Sequence, residues 1–374
     1  MKLMHLADLH LGKRVNGFSM LEDQKYILDQ ICALCRTHKP DAVLIAGDVY
    51  DRSVPSEEAV ELLDEFLVEL SRMGAAVLVI SGNHDSAERV AFGARLLGNS
   101  GIHLSPVYNG TIVPVRLEDE FGEVDFWLIP FLKPAHVRRY AEGRDIVTYT
   151  DAVAAVVDGL GLKPQGRNVA LAHQFVIGGV CSDSEEHSVG GIDQVEGSVF
   201  DCFDYVALGH LHGPQKIGRE VVRYAGSPLK YSFSECAQRK SVTLVTLGKK
   251  GDTTVELIPL RPRRDLVQIR GTFEELTASG QGREDYCEVT LLDEEDVPNA
   301  IGRLRAYYPN LMTLRYDNVR TRTAGAVLQG EAPEQKSPLE LFEELYEKQN
   351  GRGFSPEQRE FLTTLVEEVW EVEQ

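Results

Sequence analysis

Five times along this chain a short, β-rich apolar run ends directly in residues that bind metals. Asp8-Leu-His10 follows Leu3–Leu6, and Gly47-Asp48-Val-Tyr-Asp51 follows Ala42–Ala46. Gly82-Asn83-His84-Asp85 follows Ala76–Ile80, His173 follows Asn168–Ala172, and Gly209-His210-Leu-His212 follows Tyr205–Leu208. In α/β sheets ligands bind outside the carboxyl ends of strands, so five such loops can converge on one edge. Any one of these Asp or His residues alone would more often be a satisfied core or capping residue. Five clusters, each behind its own strand, make coincidence a poor explanation.

The spacing between the runs sets the architecture. Ser19–His38 and Pro55–Met73 are amphipathic and long enough for helices of four or five turns. Ser19-Met-Leu-Glu22 has the spacing of a capping box, and Gly74 closes the second helix. Strand–helix–strand alternation predicts an α/β core with parallel crossovers. Val221–Ala225, Ser241–Leu247 and Thr253–Pro259 have no helices between them and predict an antiparallel extension. The expected fold is therefore a mixed β-sandwich flanked by helices. At 374 residues the chain exceeds one typical core. After Arg261-Pro-Arg-Arg264 the pattern restarts, with strands at Leu266–Gly271, Tyr286–Leu292 and Met312–Tyr316 and a helix at Val297–Tyr307. The expected domains are 1–262, a small α+β domain at 263–316, a linker at 317–336 and a helical pair at 337–374. Ser337-Pro338-Leu-Glu340 and Ser355-Pro356-Glu-Gln358 mark the starts of that pair.

The candidate ligands are Asp8, His10, Asp48, Asn83, His173, His210 and His212. Asp8/His10 and His210/His212, read as i, i+2 pairs in extended chain, place both side chains of each pair on one face. Carboxylate, imidazole and amide oxygen suit manganese, iron or zinc, with no thiolate. Seven side chains are too many for one octahedral ion that keeps positions open. If Asp48 bridges, Asp8, His10 and His212 complete one ion's set, and Asn83, His173 and His210 complete the other's. Two divalent ions about 3.5–4 Å apart form the clamp for in-line displacement at phosphorus, so the expected enzyme is a dinuclear phosphoesterase. His84, just beyond Asn83, is the candidate catalytic acid, oriented by Asp85 or another nearby acceptor. His5, His38, His103, His136 and His187 lack such placement and read as structural.

The ordered set Asp-x-His, Gly-Asp-x-x-Asp, Gly-Asn-His-Asp, His and Gly-His-x-His resembles the calcineurin-like metallophosphoesterases. Within that superfamily His5-Leu-Ala-Asp-Leu-His-Leu-Gly12, Ala172-His-Gln-Phe-Val-Ile-Gly-Gly179, Ser182-Asp-Ser-Glu185, Tyr224-Ala-Gly-Ser-Pro228 and Ser232-Phe-Ser-Glu235 narrow it to the SbcD-type nuclease subunits. The resemblance covers residues 1–260 strongly and the remainder in layout. It implies two Mn(2+) ions on the seven residues named, and His84 as the catalytic histidine. It implies exonuclease and endonuclease action on double-stranded DNA ends and hairpins, in DNA repair and recombination. It also implies a homodimer within a heterotetramer with an SbcC-type coiled-coil ATPase, which the C-terminal helices would bind, while the small domain caps the site. The alternative within the superfamily is a small-molecule cyclic-nucleotide phosphodiesterase or nucleotidase.

Composition limits the rest. A net charge of −19 argues against indiscriminate coating of nucleic acid, leaving local basic residues such as Arg261, Arg263 and Arg264 as DNA contacts or an interdomain link. No apolar run is long enough to span a membrane. The amino terminus is no signal peptide, and six sparse cysteines fit a reducing, cytoplasmic setting. Cys32-Ala-Leu-Cys35, inside an amphipathic stretch, reads as buried free thiols.

Overall fold

Two six-stranded sheets pack face to face in the computed structural model, which describes residues 1–185, 193–279 and 284–318, with 342–343, 346–347, 353–359 and 361–362. The first sheet runs in the order Thr253–Pro259, Ser241–Leu247, Lys2–Leu6, Ala42–Ala46, Ala76–Ile80, Ile102–Leu104. Its last four strands are parallel, and Ser241–Leu247 joins Lys2–Leu6 antiparallel. The second sheet runs Gln215–Ile217, Arg219–Tyr224, Tyr205–Gly209, Arg167–His173, Gly122–Ile129, Val115–Asp119. The inner strands Ala42–Ala46 and Ala76–Ile80 are apolar throughout because both faces are covered. Leu44 and Leu78 meet Phe126, Leu171 and Tyr205 between the sheets. Val43, Ile45 and Val77 meet Ile27, Ile31, Phe66 and Leu70 of the helices Leu21–His38 and Glu57–Arg72. On the far side, Val153 and Val156 of Tyr149–Asp158 pack with Ala170 and Val206. The layers are helix, sheet, sheet, helix.

Two local expectations fail for identifiable reasons. Arg219–Tyr224 is parallel, not antiparallel, to Tyr205–Gly209. Gln215–Ile217 returns along the sheet's outer edge, and a hairpin at Gly218 (φ 61°) inserts the next strand between the two. Ser19 caps no helix: it closes a short hairpin with Arg14, and Met20 takes the cap position without a side-chain bond. Glu22, its expected partner, instead accepts from Arg264. The second helix follows its signals, with Ser56 accepting from the Ala59 N–H and left-handed Gly74 (φ 78°) just past the end.

Leu266–Gly271, Tyr286–Leu291 and Leu311–Tyr316 form a separate three-stranded sheet. The helix expected over 297–307 shortens to Ala300–Leu304, because Asn299 is left-handed (φ 49°), and Phe273–Ser279 adds an unforeseen helix. This small sheet is bolted to the sandwich through Asp23, fully buried in the first helix. Asp23 accepts from Arg264 Nε (3.0 Å) and Nη2 (2.7 Å) and from the Tyr286 hydroxyl (2.7 Å). Arg264 thus ties the three-stranded sheet to the first helix. Residues 1–291 and 297–315 make one compact unit, and 292–296 with 316–374 make a second. In that second unit Ser355 N–H donates to Gln358 Oε1 (3.0 Å) and Gln358 N–H to Ser355 Oγ (3.2 Å), closing a capping box ahead of the helical residues 356–359. The matching signal at Ser337 lies outside the described residues. Among the described residues no helix is long and apolar enough to cross a membrane.

Candidate metal centre

Both sheets bring the carboxyl ends of their parallel strands to one rim, where the backbones all but touch. A Cβ on Gly209 would lie 1.8 Å from the Ala46 carbonyl oxygen, one on Gly82 2.1 Å from Asp48 Oδ1, and one on Gly47 2.4 Å from His173 Nδ1. Only glycine fits at these three places. The expected extended pairs are not extended. Asp8, His10, Asp48 and His210 have φ of 54°, 45°, 47° and 110°, four of the seven positive-φ non-glycine residues among those described. Between and beyond the first pair, Leu9 and Leu11 are each 1% exposed, so the turn that carries Asp8 and His10 to the rim is itself packed into the core. Such backbone costs about 1–3 kcal/mol per residue and persists only where the surroundings enforce it. Here His210 N–H donates to Asp8 Oδ1 (2.8 Å), Asp8 N–H to the Gly47 carbonyl (3.1 Å) and His10 N–H to the Asp48 carbonyl (2.9 Å).

Asp48 is central. Its Oδ1 accepts from His84 N–H (3.0 Å), and its Oδ2 lies 3.3 Å from His173 Nε2, 3.6 Å from His10 Nε2 and 4.0 Å from His84 Nε2. Asn83 Oδ1 lies 3.0 Å from His173 Nε2 and 3.1 Å from His210 Nδ1. On the other flank His10 Nε2 and His212 Nε2 are 3.0 Å apart, and Asp8, His10 and His212 offer donor atoms within 4.8 Å of one another. All seven candidate ligands meet at one place, with His84 at its margin.

The outer bonds fix which nitrogen faces inward. His173 Nδ1–H donates to the Ala46 carbonyl (2.8 Å), so Nε2 is the nitrogen turned to the rim. His212 Nδ1–H donates to Ser184 Oγ (2.7 Å) and leaves its Nε2 free toward His10. Burial drives His10 well below the usual imidazole range and His210 to about 3, so both are neutral donors. Burial opposes a charge on His173 too, but Asp48 and Asp8 outweigh it and hold that ring at about 9. Burial lifts Asp8 well above the carboxylate range, whereas His173 keeps Asp48 well below it against the same burial. Asp8 Oδ2 and His10 Nδ1 are buried with no hydrogen-bond partner among the described residues. Two aspartates, an amide oxygen and converging imidazole nitrogens, with buried polar atoms left over, fit divalent cations with N/O preference.

Asp85 does not orient His84. Its carboxylate accepts the backbone N–H groups of Gly82 (2.9 Å), Tyr50 (2.9 Å) and Val49 (3.1 Å), tying the third loop to the second, and burial pushes it up to about 6. The atom facing His84 Nδ1 is the Asp51 carbonyl oxygen, at 3.2 Å. Sequence reasoning also missed the supports. Gln24 Nε2 donates to the His10 carbonyl (2.7 Å), and Gln24 Oε1 accepts from Gly12 N–H (3.0 Å). Glu235, fully buried, pairs with Lys240 (2.5 Å); burial pushes it up, but His212 and Lys240 prevail and hold it at about 2. Glu185 and Glu235 each end a Ser-x-Ser-Glu sequence, and nothing in that pattern announces their burial. The six cysteines are free, and Cys32 and Cys35 are buried in the first helix as expected.

A double sheet whose parallel strands end in this donor set defines a phosphoesterase class, and residues 1–214 match the calcineurin-like phosphoesterase family. Residues 262–350 match the family described as type 5 capsule protein repressor C-terminal domain. The chain is 33% identical over 321 residues to the SbcD subunit of the nuclease SbcCD of Staphylococcus epidermidis, covering 84% of this chain and 85% of that protein. A solved dimetal phosphatase from Danio rerio aligns with a TM-score of 0.39 at 11% identity, over 71% of this chain and 97% of that one. The chain belongs to the calcineurin-like phosphoesterases, as a homologue of SbcD.

Proposed function

We propose that this chain is the nuclease subunit of an SbcCD-type complex, a manganese-dependent exonuclease and endonuclease on double-stranded DNA ends and hairpins. The observation that carries the reading is one chain bearing both the donor cluster and the C-terminal family match, at 33% identity to a nuclease subunit. Asp8, His10, Asp48 and His212 would hold one divalent ion, and Asp48, Asn83, His173 and His210 the other. When bound, such a pair acidifies water and neutralises charge growing on the phosphoryl oxygens.

The protein's own groups do the rest. The Asp51 carbonyl keeps a proton on His84 Nδ1, so Nε2 is the atom that exchanges protons. From there His84 gives a proton to the departing sugar oxygen, and water supplies the new oxygen on phosphorus. The small domain at 263–316 caps the DNA path, the linker 317–336 leads to the helical pair 337–374, and that pair binds the coiled-coil ATPase in the cytoplasm. The complex is a heterotetramer around a homodimer of this chain, and Phe92 and Leu96, 84% and 78% exposed just past the third loop, are available to such an interface.

The test is the purified chain with manganese, given linear duplex DNA or a cyclic dinucleotide. Duplex degradation that His84→Ala abolishes, with bound metal unchanged, is the expected result. Turnover of the dinucleotide alone would replace this reading with a small-molecule phosphodiesterase.

A further inference from the structure

The two flanks of the rim are held in different ways. His173 rests on backbone, its Nδ1–H donating to the Ala46 carbonyl at 2.8 Å. His212 is gripped largely by side chains from two other segments. Its N–H donates to Glu185 Oε1 (2.6 Å), and its Nδ1–H donates to Ser184 Oγ (2.7 Å). The Ser184 hydroxyl in turn donates to Glu235 Oε1, itself 3.3 Å from the same ring nitrogen. The His212 carbonyl accepts from Lys240 Nζ at 2.8 Å, and Lys240 Nζ also donates to Glu235 Oε2 (2.5 Å) and Ser227 Oγ (2.8 Å). Every polar atom of His212 is thus engaged, and only Nε2 faces the rim. His212, Glu235 and Lys240 are 1%, 0% and 5% exposed.

We propose that Glu235, acting through Ser184 and Lys240, is the positioning residue of one ion site, that of Asp8, His10, Asp48 and His212, and sets its affinity independently of the other. The inference rests on the two-ion reading above. A carboxylate behind the far nitrogen of a ligating imidazole fixes its tautomer and makes the near nitrogen a stronger donor; losing such a partner lowers metal affinity about 10–100-fold. Burying a glutamate with a lysine is otherwise a poor investment in stability, since apolar residues would fill the same space as well. The pair's use is orientation: one partner holds the ring of His212 and the other its carbonyl.

The experiment is a manganese titration of the full chain by calorimetry, with free Mn(2+) counted by electron paramagnetic resonance. Wild type is expected to take two ions. In Ser184→Ala and Glu235→Gln one ion should bind about 10–100-fold more weakly with the other unchanged, Ser184→Thr should restore it, and Asn83→Ala should weaken the opposite ion. Wild type taking fewer than two ions would overturn the two-ion reading and this inference with it. Two ions on wild type, with both affinities retained or equally reduced in the Ser184 and Glu235 variants, would overturn the inference alone. If Glu235→Gln gives no cooperative melt, Ser184→Ala and its threonine rescue decide.

Discussion

Replacing Gly82 with alanine sets the geometry of the rim against itself. The new methyl carbon would stand 2.1 Å from Asp48 Oδ1, 2.4 Å from Asp48 N and 2.8 Å from Asp48 Cγ. Carbon and oxygen resist approach much inside about 3 Å, so something must move by roughly an ångström. The Asp48 backbone is poorly placed to yield, because its carbonyl already accepts from His10 N–H at 2.9 Å. The carboxylate must swing and the Asp48 backbone must give as well, breaking the His84 N–H bond at 3.0 Å and carrying Oδ2 away from His10 and His173. A misplacement of about 1 Å at reacting groups costs on the order of 100-fold in rate. Overpacking should cost the fold about 1–3 kcal/mol, a fall in Tm of a few to about ten degrees. The assay is hydrolysis of a chromogenic diester over a manganese titration, beside a thermal melt. Gly74→Ala is the control: it meets nothing within 4 Å, so it carries only its left-handed backbone (φ 78°) and should keep the wild-type rate. A Gly82→Ala protein with full rate and unchanged Tm would refute the claim that Asp48 is wedged against that glycine.

The Asp23 bolt should also be measurable. Asp23→Ala removes a buried carboxylate from Arg264 and Tyr286, and breaking such a group costs about 3–5 kcal/mol; the lower end applies because Arg264 keeps some exposure and Glu22. A loss below 1 kcal/mol by chemical denaturation would deny that this contact anchors the small sheet. Deleting 337–374 should spare hydrolysis of a small diester and abolish capture by the ATPase partner, and an undiminished pull-down would refute the docking role. His5 supplies a pH dependence. Its ring, bonded to Tyr205 and the Leu208 carbonyl, is pushed by burial from 6.5 to about 3. The fold accepts only the neutral ring, so this contribution is complete above pH 6.5 and is lost as pH falls from 6.5 towards 3, at up to about 1.4 kcal/mol per pH unit. Denaturation midpoints of His5→Gln should therefore fall less steeply across that window, and parallel slopes would remove His5 as the cause.

Ala42–Ala46 and Ala76–Ile80 begin and end where the sequence places them, because a strand buried on both faces is an unbroken apolar run. The candidate ligands were legible by recurrence: one carboxylate or imidazole after such a run can be a core or capping residue, but five such clusters cannot all be. The short helices Ala87–Val90, Ala94–Leu97 and Pro134–Arg138 were not, since four or five residues carry no period. The backbone of the ligands was illegible in a deeper way. Nothing in Asp-Leu-His demands positive φ; the bonds that hold it come from Gly47, Asp48 and His210, which only the folded chain brings near. Adjacent residues mislead similarly. Asp85 follows His84 in sequence yet bonds the second loop, while the atom on His84 belongs to Asp51, 33 positions earlier. Glu235 stands in sequence only as the end of Ser232-Phe-Ser-Glu235, and its role appears when the fold closes Lys240 and His212 around it. Residues that touch a cation must keep their chemistry, so a sequence exposes them; residues that aim those ligands need only be in reach, and reach is a property of the folded chain.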